Sequence, residues 1–389
     1  MTHGAMKAKV AARRAMSAFG QDSRTYVPAL DGMRAGCVLL VCISHLGLGR
    51  VVPGGFGVTV FFFISGALIT GQLAAERART RRIDFRAFYV RRLLRLAPAA
   101  LAYIVIAGAL FVRFGGRIPA LGWFWAVMHG ANYYDLFAGY DNAGTDVRHP
   151  FGILWSLAVE EHFYLLIPPL LGLLRRRQAV WLLAGICVVE IAWRAALFHA
   201  CADPGFPLCG WRVDDRLYKA TDARLDSLAW GALLALVPAV RFARATFAAA
   251  IAIALLALGF LVPSPWFREV LRYSAQGAAL FVLVPVIIRN DCWPRRLLET
   301  APAVLIGRMS YSMYLWHWGA LMIADRLFAP ESPGWAGLAV GLTAALSALS
   351  FFLIERPMLR LRHRFGSKAP AGLAPASLAA PDAPHRLAA

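Results

Sequence analysis

Apolar runs long enough to cross a bilayer recur through most of this chain, and arginine clusters fall in every second gap between them. A span needs about 20 apolar residues. Such runs lie at roughly 33–52, 56–73, 94–113, 154–174, 179–198, 224–240, 245–263, 270–288, 303–325 and 335–355. The gap 74–95 holds eight arginines and two acids. Arg175 to Arg177, Arg241 with Arg244, and Arg289 with Arg295 and Arg296 follow the fourth, sixth and eighth runs. Arg356, Arg360, Arg362, Arg364 and Lys368 follow the tenth. Basic residues gather on the cytoplasmic side of membrane proteins. All these clusters share one side only if the ten runs, and no others, span. The expectation is an all-α, polytopic transmembrane helical bundle of about ten spans with both termini cytoplasmic.

One aromatic segment must then stay out of the count. GWFWAVMHGANYY, residues 122–134, would invert every later gap if it crossed. Residues 119–136 are therefore expected to form a re-entrant or interfacial helix on the outer face. The composition agrees with the membrane reading. The chain is 59% hydrophobic with a mean hydropathy of +0.57, against about 45–50% apolar in average soluble proteins. Its net charge of +19 lies in the gaps, which points to topology and anionic lipid rather than to nucleic acid. Residues 1–25 read as a basic cytoplasmic lead-in without the apolar core of a signal peptide. Residues 26–360 form the membrane domain, and 361–389 a cytoplasmic tail, rich in alanine and proline, expected to be disordered. Cys37, Cys42 and Cys187 fall in spans as small packing residues. Cys201 and Cys209 share an outer loop where a disulfide can form. No cysteine–histidine spacing suggests a metal site.

The informative residues are the polar ones within the spans, because an ionisable group there is costly and marks function by default. Arg34 and His45 bracket the first span, eleven residues and so roughly 16 Å apart along a helix. They form either a functional pair or a satisfied histidine with an arginine snorkelling to the interface. In GFGVTVFFFISGALIT, from Gly55, Gly57, Ser65 and Gly66 are small on a bulky helix. They allow close helix packing or close approach to a ligand. In FYVRRLLRLAP, Arg92 and Arg95 share a face at i, i+3. They suit a phosphorylated ligand or are ordinary topological charge. In WSLAVEEHFY, Glu160 and Glu161 enter the fourth span, and Glu160 is a candidate partner for His45. Glu190 and Arg194 have the spacing of an intrahelical ion pair. Tyr218, Arg224 and Asp226 stand at the outer mouth of the sixth span. Ser310, Tyr311, Tyr314 and His317 lie in the ninth, and Glu355 ends the tenth. Buried ionisable groups need partners, so these residues imply a polar cavity through the bundle with a cationic mouth inside. Such a cavity fits a transporter or a membrane-embedded transferase.

Taken together and in this order, the stretches resemble the acyltransferase-3 family of membrane O-acyltransferases. Arg34 to His45 is similar to its Arg-x10-His signature, GFGVTVFFFISGALIT to its Gly/Phe/Ser-Gly block, and Arg92 with Arg95 to its Arg-x-x-Arg block. WSLAVEEHFYLLIP, TDARLDSLAWG, SYSMYLWHW and FFLIERP follow in place. The resemblance covers roughly residues 26–360. Two features depart from it. Ile153 stands where many members have a histidine, a role that His149 could take over. The sequence also shows no SGNH-hydrolase-like stretch, so within this chain the membrane domain must act alone.

The resemblance implies transfer of an acyl group, often acetyl, from cytoplasmic acyl-CoA to a hydroxyl of a cell-envelope glycan, glycolipid or small molecule, in a bacterial inner membrane. On that reading His45 is the base or the acyl carrier, with Glu160 as its partner. Arg92 and Arg95 hold the phosphates of acyl-CoA. Arg34 binds the donor or the carbonyl oxygen, or pairs with Glu355. No metal is expected. The rival reading is a transporter of a glycolipid or acyl donor that does no chemistry.

Overall fold

The computed structural model describes residues 26–140, 147–203, 205–210, 212–238 and 245–362. The basic lead-in, Arg241, Arg244, Arg364, Lys368 and nearly all of the tail lie outside the described residues. The architecture is all-helical; no strand occurs among the described residues. In chain order the helices are α1 (Pro28–Ile43), α2 (Gly54–Thr80), α3 (Phe85–Arg113), α4 (Ala120–Val127), α5 (Ala131–Phe137), α6 (Trp155–Leu173), α7 (Arg176–Ala200) and α8 (Val213–Lys219). There follow α9 (Leu225–Leu236), α10 (Ala245–Leu261), α11 (Arg272–Arg289), α12 (Trp293–Leu298), α13 (Ala301–Leu327), α14 (Pro333–Ser350) and α15 (Arg356–Arg362). Local chemistry sets several starts. Pro28 opens α1, where a missing N–H costs nothing. Asp84 caps α3 by accepting from the Ala87 N–H at 2.9 Å.

The ten expected spans coincide with α1, α2, α3, α6, α7, α9, α10, α11, α13 and α14. Six of these, with the π-helical turns that extend three of them, are long and apolar enough to cross a bilayer: 28–48, 54–80, 85–113, 176–200, 267–289 and 333–361. The chain is an integral membrane protein. Two long helices fall short of that apolarity, α6 and α13, and both line the cavities described below. The sixth expected span, 224–240, is α9, a helix of 12 residues, too short by itself for a bilayer core of about 30 Å. Nine of its residues are buried, because α2, α7 and α11 surround it. The aromatic segment 119–136 forms two short helices rather than one, α4 and α5, broken at His129, whose φ is 55°. Leu121, Phe124, Trp125 and Met128 on it are exposed.

Hydrogen bonds show which helix ends lie together. Arg77 at the end of α2 donates to Leu174 O after α6 at 2.5 Å. Arg176 at the start of α7 donates to Leu236 O at the end of α9 at 2.6 Å. These ends, rich in arginine, form the basic end of the bundle. At the opposite end Arg148 pairs with Asp325 at 2.6 Å and Lys219 with Asp135 at 2.8 Å. The disulfide Cys201–Cys209 closes a loop there.

Two crossings bring backbones into contact. A methyl group at Gly66 would overlap the Leu228 carbonyl, and one at Gly231 the Phe63 carbonyl, so glycine sets the approach of α2 to α9. Likewise Gly307 on α13 faces the Asp31 carbonyl of α1. Behind α9, Arg194 is fully buried. It binds Glu190 at 3.4 Å, Asp226 at 2.8 Å and Ser274 at 2.6 Å, and it donates to the carbonyls of Val270 and Ala223 at 2.9 Å each. One guanidinium thus ties α7, α9 and α11. The expected i, i+4 pair is present but belongs to this larger junction.

Candidate active site

Two polar cavities lie within the bundle. The first opens among α1, α2, α3, α6 and α13. Arg34, Arg92 and Arg95 all line it, with Glu160, Gln72 and Tyr164. The i, i+3 spacing on α3 turns Arg92 and Arg95 to the cavity. Arg91 turns away, to Glu76 at 3.7 Å. The Arg92 guanidinium lies 3.6 Å from the Tyr164 ring centre, a cation–π contact. The Nε atoms of Arg34 and Arg92 are buried without a hydrogen-bond partner. Three guanidiniums with buried N–H groups left over can donate to an anionic, oxygen-rich ligand.

The second cavity lies toward the opposite end. His45 lines it, together with Arg148, Lys219, Asp135, Tyr140 and Trp318. His45 sits where α1 changes to a π-helical turn, Ser44–Leu48, which ends in a kink at Gly47 with φ 88°. Its Nδ1 lies 3.0 Å from Nε2 of His317 on α13. His317 Nδ1 in turn lies 3.1 Å from the Met313 carbonyl. The edge of Trp318 packs on His45, with ring centres 5.0 Å apart. His149 lines the same cavity, stacked on Tyr140 at 4.4 Å.

Val58 and Tyr314 line both cavities, so these two side chains form part of the wall between them. The Tyr314 hydroxyl lies 2.5 Å from Ser156 Oγ and 3.2 Å from the Ile153 carbonyl, which fixes the ring in place. Ile153, which stands where the resemblance leads one to expect histidine, thus contributes its backbone to this wall.

The sequence-derived residues separate cleanly. Arg34, Arg92 and Arg95 come together in the arginine cavity, and His45 stands in the other. Glu160 lies on the arginine side, where it accepts from Ser65 Oγ at 2.7 Å. It is not the partner of His45; His317 is. The physical reason is register: Glu160 is more than a helical turn along α6 from Ser156, which already meets the wall. Glu355 accepts hydrogen bonds from Ser312. Arg148, Lys219 and Asp135 escaped the sequence reading because charges outside spans are unremarkable there. His317 was visible as a polar residue in a span, but nothing in the sequence joins it to a partner 272 positions away.

A family model described as an acyltransferase domain matches residues 27–354. The chain belongs to the acyltransferase-3 family. Within that family it is 29% identical to the peptidoglycan O-acetyltransferase OatA of Listeria monocytogenes, over 86% of this chain and 56% of the relative. It is 28% identical to the O-acetyltransferase OatA of Staphylococcus aureus, over 86% of this chain and 58% of the relative. The chain therefore spans little more than half the length of these relatives. No solved structure matches it. Residues 27–354 of this acyltransferase-3 chain include both cavities, the wall between them and the His45–His317 pair.

The end opposite the basic one has its own charge architecture, outside the spans. Arg216 grips Asp222 in a two-pronged pair at 2.6 and 3.1 Å and donates to Leu208 O of the disulfide loop at 2.8 Å. Tyr133 and Trp193 each donate to Asp222 at 2.7 Å. Burial works to raise the Asp222 carboxyl, but Arg216 and the other donors outweigh it and hold the group below the ordinary carboxylate range. This knot fixes α8, which carries Tyr218 and Lys219 into the second cavity.

Proposed function

We propose that this chain is a membrane O-acyltransferase that moves an acyl group, acetyl first among them, from acyl-CoA to a hydroxyl of a cell-envelope glycan. The observation that carries this reading is a pair of cavities, one lined by three arginines and the other by a histidine, that share Val58 and Tyr314 in their linings. The names of the relatives support acetyl as the group and a peptidoglycan hydroxyl as the acceptor.

In this reading the basic end faces the cytoplasm. Arg34, Arg92 and Arg95 hold the phosphates of the donor, and the thioester reaches toward the wall. The acceptor enters the second cavity from outside. His45 takes the proton of the acceptor hydroxyl, and the oxygen attacks the thioester carbonyl carbon. The C–S bond breaks, and the departing CoA thiolate receives the proton from His45. In the acyl-carrier variant the same imidazole first accepts the acyl carbon and then passes it to the hydroxyl. Both routes need an unprotonated ring nitrogen facing the cavity.

The test uses purified protein in liposomes with acetyl-CoA and peptidoglycan glycan fragments. The reading expects free CoA thiol and alkali-labile acetyl on the glycan in equal amounts. Movement of glycan or donor across the membrane without thiol release would identify a transporter instead.

A further inference from the structure

His317 has no part in the chemistry just described, yet it is 1% exposed and touches the residue that performs it. Its hydrogen bonds can be assigned without reference to hydrogen positions. The Met313 carbonyl can only accept, so the His317 Nδ1 that lies 3.1 Å from it carries a hydrogen. An imidazolium at this position would be buried with no carboxylate hydrogen-bonded to it among the described residues, which is costly. The ring is therefore neutral and its Nε2 is a lone pair. That lone pair lies 3.0 Å from His45 Nδ1, so His45 Nδ1 is the donor.

The ring geometry agrees. The two imidazole planes are 8° from parallel with centres 5.2 Å apart. The centre separation exceeds the N···N separation by just the two centre-to-nitrogen distances. The rings therefore meet edge to edge, nearly in one plane, and are not stacked face to face. This is the alignment a linear N–H···N bond requires.

We infer that His317 is a positioning residue that locks His45 in the Nδ1–H tautomer, leaving the His45 Nε2 lone pair as the base or nucleophile of the second cavity. The inference rests on the transferase reading for its consequence but not for its geometry. During turnover the proton taken from the acceptor hydroxyl resides on His45 Nε2 and leaves on the CoA thiol. His317 keeps its own proton throughout and accepts from His45 Nδ1–H, a bond that strengthens when His45 becomes charged. The chain Met313 carbonyl to His317 to His45 fixes both tautomer and ring orientation.

Two isosteric variants separate this role from simple packing. Asn at 317 keeps an amide near the level of Nδ1 and offers nothing where Nε2 stood. Gln reaches the Nε2 level and presents a carbonyl to His45. A partner that orients a histidine through its far ring nitrogen is worth about 10–100-fold where the histidine is a metal ligand, and the same scale applies to this pair. His317→Asn is expected to lower kcat by about 100-fold with the KM for acetyl-CoA within about twofold, and His317→Gln to recover to within about tenfold of wild type. The direct reading is ¹⁵N NMR of histidine-labelled protein in lipid, with His45 assigned by loss of its signals in His45→Ala. The expected result is a protonated Nδ1 and a bare Nε2. A hydrogen on His45 Nε2 in the wild-type protein, or Asn as active as Gln, would overturn the lock. A wild-type protein with the expected tautomer but no acyl ester would refute the transferase reading and leave the lock standing.

Discussion

Val58 on α2 and Tyr314 on α13 are the two residues, among those described, that line both the arginine cavity and the His45 cavity. Both are about 5–6% exposed. Tyr314 is pinned by Ser156 and the Ile153 carbonyl, so it cannot swing aside without losing both bonds. An acyl group passing from donor to His45 must fit beside these side chains. One methylene in a fitted pocket is worth roughly 10–200-fold in discrimination. Val58→Ala is therefore expected to raise butyryl transfer relative to acetyl transfer by about tenfold or more. Competition between acetyl-CoA and butyryl-CoA, with the ester products weighed by mass spectrometry, measures the ratio. An unchanged ratio would remove the wall from the acyl path.

The arginine cavity makes a separate prediction. Each hydrogen bond to a charged group contributes about 1.5–3 kcal/mol. Arg92→Ala with Arg95→Ala is expected to raise the KM for acetyl-CoA by about 100-fold and to change kcat much less. Titration of acetyl-CoA against reconstituted protein decides it. Unaltered affinity would return the pair to plain topological charge.

Arg194 is a structural hinge pin rather than a site residue. Removing one partner of a buried ion pair leaves a bare charge and costs about 3–5 kcal/mol. Arg194→Ala strands Glu190 and Asp226 together, so it is expected to lower thermal stability in detergent by that order. Arg194→Lys should not restore it, since an ammonium cannot serve three side chains and two carbonyls in a plane. A lysine variant as stable as wild type would contradict the account of the α7–α9–α11 junction.

The Asp222 knot predicts a pH dependence. The folded carboxyl is held below its ordinary range, so its contribution to stability is fully present above an unfolded pKa of about 3.9 and is lost as pH falls through the folded value. Wild type and Asp222→Asn should therefore differ by a constant stability increment from about pH 5 to 8, and the difference should shrink below about pH 4. Thermal melts of both proteins across that range test the sign. A difference that grows toward low pH would refute it.

Much of the fold was legible because lipid imposes simple rules. Ten runs and their arginine punctuation mark ten helices, and the Arg92–Arg95 spacing foretold a shared face while Arg91 turned away. The reading weakened where helices are shielded from lipid. The α9 helix looked like a span in sequence since nearly all its residues after Ser227 are apolar, yet α2, α7 and α11 surround it. Gly66 showed that close packing was due, but not against which helix, and Gly231 opposite it drew no notice. The site was half legible. His45 and the arginines stood out as charges in apolar runs. The partnership of His45 with His317 rather than Glu160 depends on the relative register of α1, α6 and α13, which no local pattern encodes. Arg148, Lys219 and Asp135 come from segments where charge is ordinary, and only the fold gathers them.

The central claim is that an acyl group crosses from the arginine cavity to a hydroxyl beside His45. The most direct measurement encloses peptidoglycan fragments within liposomes and supplies acetyl-CoA outside, using protein oriented with its basic end outward. The account predicts acetyl esters on the enclosed glycan, with His45→Ala making none while remaining folded in the membrane. Normal ester formation by His45→Ala, or ester formed only when donor and acceptor share one side, would contradict it.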